Sequence, residues 1–160
     1  MLYAGLMLTA EGPKVLEYNV RFGDPETQAV LPRLRSDAYE LLRAAARPGG
    51  LEGAALEFGD DWAVTLVLAS AGYPAAPRTG DPISGLDDVP DGVEITHAGT
   101  KRGDDGTILT AGGRVLNVTA LGATAASARD AAYAAAQKID FAGRQLRSDI
   151  ALRAAERTGE

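Results

Sequence analysis

The residues that bind zinc, form disulfides or attract nucleic acid are scarce in this sequence. It has no cysteine, a single histidine and a formal net charge of -6, from 16 basic and 22 acidic residues. The lack of cysteine excludes disulfides and cysteine-ligated zinc. Because no lysine or arginine cluster is present, we expect neither nucleic acid nor an anionic membrane as a partner. No apolar run approaches the length of a membrane span and no basic segment precedes the first one, so we expect a cytoplasmic protein.

The composition is otherwise that of a globular protein with a core. Of the 160 residues, 46% are apolar and 24% are charged, which suits one ordinary domain or two small ones. Pro48-Gly49-Gly50 stops the helical pattern that precedes it. We therefore expect a domain boundary there, with a first domain over residues 1–50 and a second over residues 51–160.

Hydrophobic periodicity and turn residues predict an α+β fold. The first domain is predicted to contain a β-hairpin followed by helices: strands over 2–9 and 14–20, a helix from Glu26 to about Leu34, and a helix capped by Ser36. The second is predicted to contain a small mixed or antiparallel sheet packed with helices. Its elements are a buried strand over 62–70, a strand over 93–97, a hairpin of strands over 108–110 and 114–120, an alanine-rich helix from Thr124 to about Lys138, and a last helix that starts near Ser148 or Asp149.

The stretch from Leu16 to Gln28 is the strongest candidate for chemistry. Because side chains alternate along a strand, Glu17, Asn19 and Arg21 share one face, opposite the apolar set Leu16, Tyr18, Val20 and Phe22. A carboxylate and an amide oxygen two residues apart can bind one hard cation such as Mg²⁺, which usually completes its shell with waters and substrate phosphates. Arg21 beside them is suited to bind a phosphate. This set predicts phosphoryl transfer.

A strand with a solvated outer face explains the same pattern without any chemistry. Such a strand is also polar at every second position, here Glu17, Asn19 and Arg21. The spacing alone leaves both interpretations open.

The residues after the strand predict a tight turn into a helix. Gly23 permits the turn, Asp24 is favoured at a helix N-cap, and Pro25 suits the first helical position. Asp24 and Glu26 make the start of this helix acidic. We therefore expect it to contact a substrate ammonium or ribose hydroxyl rather than a phosphate.

Two further candidates have simpler structural explanations. His97 is the only histidine and ends a predicted strand, where we expect it to be hydrogen-bonded rather than catalytic. Asp104 and Asp105 lie between glycines and predict a hairpin turn rather than a cation site.

The residues of the Leu16–Gln28 stretch resemble those of a known family. Glu17-x-Asn19-x-Arg21 is similar to the metal-and-phosphate motif of ATP-grasp carboxylate-amine ligases, and EYNVRFGDPETQ over 17–28 resembles the phosphoribosylamine-glycine ligases, or glycinamide ribonucleotide synthetases. Other segments are similar to the C-terminal portion of that family in the expected order: AVTLVLASAGYP over 63–74, GDPISGL over 80–86, HAGT over 97–100 and GGRVLNVTALG over 112–122. The resemblance spans essentially the whole chain.

The resemblance implies an activity and a role for each site residue. The family joins glycine to 5-phosphoribosylamine in purine biosynthesis, with ATP converting the glycine carboxylate to an acyl phosphate that the amine attacks. It implies Glu17 and Asn19 as ligands of Mg²⁺ or Mn²⁺, Arg21 as a catalytic residue that contacts ATP phosphate, and Asp24 and Glu26 as substrate-binding residues. It also implies that residues 1–50 are the end of an ATP-grasp domain and that the C-terminal domain is mainly scaffold.

The resemblance also indicates what is missing. Chains of the family carry an N-terminal α/β domain and most of the ATP-grasp unit before this point, and this sequence has no glycine-rich phosphate loop. We therefore expect the chain to expose apolar surface, to be inactive alone, and to require a separate chain that carries the N-terminal and ATP-binding parts, as a gene fragment or half of a split enzyme. Two alternatives stay open: a non-catalytic remnant or binding module that keeps the fold, and a carboxylate-amine ligase with other substrates.

Overall fold

A hairpin and two short helices come first in the chain, and a sheet domain follows, in a computed structural model that describes residues 2–157. The strands are β1 (Tyr3–Thr9), β2 (Gly12–Asn19), β3 (Trp62–Ala69), β4 (Val93–His97), β5 (Thr100–Arg102), β6 (Ile108–Thr110) and β7 (Arg114–Gly122). The helices are α1 (Glu26–Val30), α2 (Ala38–Ala45), α3 (Ala125–Ala136) and α4 (Leu152–Arg157), with 3-10 turns at Leu31–Arg33 and Leu86–Asp88. The predicted α+β class is confirmed.

The first hairpin is confirmed, with an irregularity that the sequence did not indicate. β1 and β2 pair antiparallel across a turn at residues 10–11. Gly5 lies opposite Glu17 and Leu6 opposite Val15, so Leu16 is an extra residue and forms a β-bulge. The strand ends at Asn19. The predicted alternation therefore holds from Glu17 to Asn19 and is broken before and after them.

The main sheet has three antiparallel strands in the order β3-β7-β4, with β7 in the centre. The predicted hairpin of strands over 108–110 and 114–120 is wrong, because β6 pairs with β5 instead. The chain leaves β6 through Gly112-Gly113, which is bound to the end of β3: the Ser70 amide donates to the Gly113 carbonyl at 2.8 Å and its hydroxyl to the Gly112 carbonyl at 2.7 Å. These contacts direct β7 onto β3 rather than back onto β6.

One face of the sheet and α3 form the core. The fully buried apolar residues come from both: Leu66, Leu68, Val115, Leu116 and Val118 from the strands, five alanines of α3 (Ala125, Ala128, Ala132, Ala135 and Ala136), and Ile139 just after it. Thr124 caps α3 as predicted, in a capping box with Ser127. Because the buried face of α3 is mainly alanine, the helix can approach the sheet closely.

The opposite face of the sheet is polar and contacts the first part of the chain. The Thr65 and Thr119 hydroxyls lie 2.9 Å apart on this face. Asn117, next along β7, is 1% exposed, and neither of its side-chain polar atoms has a partner among the described residues. A cavity of about 350 Å³ separates α1 and the following 3-10 turn from this face and is lined by Thr27, Gln28, Leu31, Pro32, Glu94, Thr96 and Thr119.

α1 begins at Glu26 as predicted, but the caps of α1 and α2 differ from prediction because other groups bind the expected capping side chains. Pro25, not Asp24, is the N-cap of α1, and it makes no side-chain cap bond. Asp37, not Ser36, caps α2 by accepting from the Glu40 amide, while the Ser36 hydroxyl accepts from the Glu57 amide 21 residues away. The last helix begins at Leu152, a few residues after the predicted start near Ser148 or Asp149. No helix within residues 2–157 has the length and apolarity needed to cross a membrane.

Candidate functional site

Glu17 and Asn19 lie side by side on one face of β2. Their cross-strand partners are Gly5 and Tyr3, and the pairing between these positions is regular. Glu17 is exposed and Asn19 is half-buried. Within residues 2–157 neither side chain has a hydrogen-bond or ion-pair partner, so both sets of oxygens are available to a ligand.

Gly5 shapes the place that Glu17 occupies. Gly5 is buried directly opposite Glu17, and a Cβ atom at position 5 would lie 3.1 Å from the Glu17 Cγ, which is tighter than an ordinary contact. The bulge at Leu16 immediately precedes Glu17, and bulges commonly redirect side chains beside functional sites. Sequence reasoning did not single out Gly5, although a glycine inside a strand often marks a close approach.

Arg21 lies beyond the end of β2, so strand alternation does not set its direction. It is exposed, and its Nη1 donates to the carbonyl of Phe22 at 3.1 Å. Its placement on the same face as Glu17 and Asn19 stays a prediction.

The two oxygen donors fit part of a coordination shell for a hard cation. Mg²⁺ is commonly held by one or two protein groups together with waters and phosphates, and Glu17 and Asn19 supply that number. Among residues 2–157 there is no cluster of three or more acidic, histidine or cysteine side chains able to hold a metal. The remaining ligands of a bound cation must come from outside the described residues.

The segment after β2, residues 23–28, is held by several contacts and is called the substrate loop below because it contains the predicted substrate-binding residues Asp24 and Glu26. The Thr27 amide donates to the Gly23 carbonyl at 3.1 Å, and the Thr27 hydroxyl donates to the same carbonyl at 2.5 Å. Gln28 Nε2 donates to Asp24 Oδ1 at 2.9 Å. The Glu26 carboxylate folds back over Gly23, where any side chain at position 23 would collide with it. Glu26 itself has no hydrogen-bond or ion-pair partner among the residues described.

Asp24 is bound from the other side by an arginine of the main sheet. Nη1 of Arg114, at the start of β7, donates to the Asp24 carbonyl at 2.7 Å, and its Nη2 lies 3.4 Å from Asp24 Oδ2. Both side chains are 41% exposed. This contact joins residues 90 positions apart in the chain, and no local sequence signal predicts it.

The two candidates given structural explanations behave as expected. His97 is exposed, and its Nδ1 lies 2.9 Å from the Thr100 hydroxyl. Asp104 and Asp105 form the turn between β5 and β6, where Asp105 accepts from the Thr107 amide at 3.0 Å. That hydrogen bond lowers the pKa of the Asp105 carboxyl. The predicted hydrogen bond of His97 and the predicted turn are confirmed.

The apolar surface expected around an incomplete site is present on the hairpin. Its exposed apolar side chains are Leu2, Leu6, Met7, Leu8, Val15, Leu16, Tyr18 and Val20. No helix or other strand of residues 2–157 packs extensively on β1 or β2. The face that carries Glu17 is therefore open.

Two family matches divide the chain between the hairpin and the sheet. The family described as phosphoribosylglycinamide synthetase, ATP-grasp (A) domain, matches residues 1–27. The family described as phosphoribosylglycinamide synthetase, C domain, matches residues 63–153. The first match contains Glu17, Asn19, Arg21, Asp24 and Glu26, and the second contains Arg114.

Individual relatives agree with these matches. The phosphoribosylamine–glycine ligase of Streptomyces coelicolor is 50% identical over 159 residues, covering 97% of this chain and 38% of the relative. The phosphoribosylamine–glycine ligase of Leifsonia xyli is 54% identical over 159 residues, which cover 96% of this chain and 38% of that relative. A crystal structure of phosphoribosylamine–glycine ligase from Thermotoga maritima superposes with a TM-score of 0.73 at 39% identity, covering 93% of this chain and 36% of that one. The chain thus spans a little over a third of the length of these relatives.

Proposed function

The chain belongs to the phosphoribosylglycinamide synthetase family, and from this premise we propose that it is the C-terminal portion of an ATP-dependent carboxylate-amine ligase. The proposed reaction joins glycine to 5-phosphoribosylamine and gives glycinamide ribonucleotide, ADP and phosphate, a step of de novo purine biosynthesis in the cytoplasm. The observation that supports this most directly is the pair Glu17 and Asn19, whose side chains share one face of β2 within the ATP-grasp match and have no hydrogen-bond or ion-pair partner among residues 2–157.

Glu17 and Asn19 are proposed to hold Mg²⁺ or Mn²⁺. A carboxylate and an amide oxygen are the donors that such hard cations prefer, and Gly5 leaves space for the Glu17 side chain. When bound, the cation supplies neutralisation of phosphate charge. Arg21, exposed two residues beyond Asn19, is proposed as the catalytic residue that binds the transferring phosphate of ATP.

Asp24 and Glu26 are proposed to bind the amine substrates. Glu26 has no protein partner within residues 2–157, which leaves its carboxylate able to accept from an ammonium or a ribose hydroxyl. The Asp24 carboxylate is already bound by Gln28 and Arg114, so we propose that it acts both through its charge and by setting the shape of the substrate loop.

The rest of the active site is proposed to lie in a separate part of the enzyme. Residues 1–50 are proposed as the end of an ATP-grasp domain and residues 51–160 as the C-terminal domain. The chain covers 38% of its Streptomyces coelicolor relative, and the hairpin exposes Leu8 by 82% and Val20 by 83%. Both observations support a partner segment that carries the N-terminal and ATP-binding parts and covers the hairpin.

The test is ADP release that depends on Mg²⁺, glycine and phosphoribosylamine. The chain is assayed alone and mixed with the separately expressed N-terminal portion of the Streptomyces coelicolor relative. We expect activity only in the mixture, and a loss of at least about 100-fold on Glu17→Gln, because the variant removes a charged cation ligand. Glu11→Gln is the matched control: Glu11 is an exposed carboxylate at the turn of the same hairpin, paired only with Lys14, and activity should be unchanged.

A second candidate is a module that binds a cation weakly without catalysis. It is favoured by the small number of metal ligands among the described residues. If the two pieces demonstrably associate but the mixture releases no ADP, the result would contradict the ligase proposal and support this candidate.

A further inference from the structure

Arg114 connects the C-terminal sheet to the substrate loop. Its guanidinium contacts both the main-chain carbonyl and the carboxylate of Asp24, at 2.7 Å and 3.4 Å. We infer that Arg114 is a positioning residue, which sets the orientation of the substrate loop and thereby the place of the Glu26 carboxylate. This inference rests on the proposed function, and it gives the C-terminal domain a part in substrate binding beyond that of a scaffold.

The backbone of Arg114 is firmly anchored. Arg114 begins β7, the central strand of the main sheet, and pairs there with Ala69 at the end of β3. The Arg114 carbonyl accepts from the Gly99 amide at 2.8 Å. The preceding residues, Gly112 and Gly113, are bound by Ser70. A contact made from this position therefore connects the substrate loop to the sheet that contains the buried core of residues 2–157.

The substrate loop lacks comparable support of its own. α1 has only five residues and no side-chain cap at its start, and a helix this short is not stable by itself. The Thr27 and Gln28 contacts are local, joining residues four apart. Besides the packing of α1 on β3 and β7, Arg114 is the one residue from elsewhere in residues 2–157 whose side chain forms a hydrogen bond or ion pair with the loop. We therefore expect the orientation of Glu26 to depend on it.

The chemistry of the contact requires arginine. A planar guanidinium can present two N–H groups to two acceptors of one residue, whereas a lysine ammonium is a point charge without this fork. A half-exposed ion pair adds little to global stability. Loss of Arg114 is therefore expected to loosen the loop without unfolding the domain.

Hydrogen exchange on the chain alone tests whether Arg114 holds the loop. We expect Arg114→Gln to accelerate exchange of the amides at residues 26–28 by about tenfold, with amides of β3 and β7 unchanged. In Arg114→Lys, these amides should regain less than half of the protection from exchange that Arg114→Gln loses. The matched control is Arg102→Gln, which removes another exposed arginine of the same domain, bound only to the Gly106 carbonyl. Unchanged exchange in Arg114→Gln overturns the inference.

Kinetics of the mixture described above test the functional part. We expect Arg114→Gln to raise the KM for the amine substrates by roughly fivefold, while the KM for ATP and kcat change by less than twofold. A purely structural defect would instead lower the active fraction and reduce kcat alone, and that result overturns the positioning role. If the unaltered mixture is inactive, the proposed function fails, whereas the exchange experiment still decides whether Arg114 holds the loop.

Discussion

The hairpin β1–β2 and the sheet β3-β7-β4 are built from similar residues but differ in burial. Leu66, Leu116 and Val118 in the sheet are 0% or nearly 0% exposed, whereas Leu8 and Val20 in and beside the hairpin are 82% and 83% exposed. The sheet is covered by α3, and no such layer covers the hairpin within residues 2–157. Pairing and propensity are thus sufficient to form a strand, but burial requires a second layer.

This difference also separates chemistry from stability. The residues proposed to bind cation and phosphate lie on the uncovered hairpin and the segment after it, and the buried apolar residues lie in the sheet domain. A two-stranded hairpin is marginally stable alone. We therefore expect the sheet to determine the stability of this chain and the hairpin to determine its association and activity.

The largest expected effect is on the core. Leu66→Ala should lower the free energy of unfolding by about 3 kcal/mol, because it removes a fully buried side chain and leaves a cavity. Leu8→Ala, the same change on the hairpin, should alter it by less than about 0.5 kcal/mol. Urea denaturation followed by far-UV circular dichroism measures both. Equal losses would show that the hairpin is part of the same core.

The next effect concerns the apolar surface of the hairpin. Replacing both Leu8 and Val20 by serine should weaken binding of the separately expressed N-terminal portion by about 2 kcal/mol, roughly thirtyfold in Kd, because apolar contacts at the interface are lost. Isothermal titration calorimetry measures the Kd. The stability of the chain alone should not change, and an unaltered Kd would mean that the partner does not cover this surface.

A smaller effect is expected on the polar face of the sheet. Asn117→Val should raise the free energy of unfolding by about 1 kcal/mol, because a buried amide without partners is removed from a strand interior. Thr119→Val, two residues along the same face, should lower it by about 1 kcal/mol, since the hydrogen bond to Thr65 is lost. Chemical denaturation measures whether each substitution raises or lowers the free energy of unfolding. If both substitutions lower it, the Asn117 side chain has hydrogen-bond partners in solution.

The smallest effect is a pH dependence at the surface. The hydrogen bond from Arg147 lowers the pKa of the Asp149 carboxyl. A carboxyl whose pKa is lowered by folding stabilises the protein above its unfolded pKa, and this contribution is lost as pH falls through the folded value. Asp149→Asn should therefore lower Tm by about 1 °C at pH 7, and the difference from the unaltered protein should shrink as the pH falls below the ordinary Asp pKa of 3.8 toward about pH 2. Differential scanning calorimetry at both pH values tests this, and a difference that persists in acid would contradict it.

Local features of the fold were predictable from sequence because they depend on neighbouring residues. The hairpin, the strands over 62–69 and 93–97, and the capped helix α3 follow from periodicity, turn residues and the Thr124 cap. The N-caps of α1 and α2 each lie one residue later in the chain than the sequence predicts. In each case the expected capping side chain has another partner, Arg114 for Asp24 and the Glu57 amide for Ser36.

Of the candidate site, the side-by-side placement of Glu17 and Asn19 was predictable and the surroundings were not. Strand alternation is sufficient to place these two side chains together. The bulge at Leu16 and the role of Gly5 depend on the register with β1, which the sequence of β2 alone does not specify. The positions of Arg21, Asp24 and Glu26 relative to substrates remain predictions.

The kinds of elements, the residue types at the candidate site and the family follow from the amino-acid sequence, since these are encoded in short segments. Three features emerge only in the folded molecule: the pairing of β6 with β5 rather than β7, the burial of Asn117 without a hydrogen-bond partner among residues 2–157, and the contact of Arg114 with Asp24. The physical reason is that these outcomes depend on contacts between segments far apart in the chain. Such contacts form only when the packing of the sheet and of Gly112-Gly113 brings those segments together.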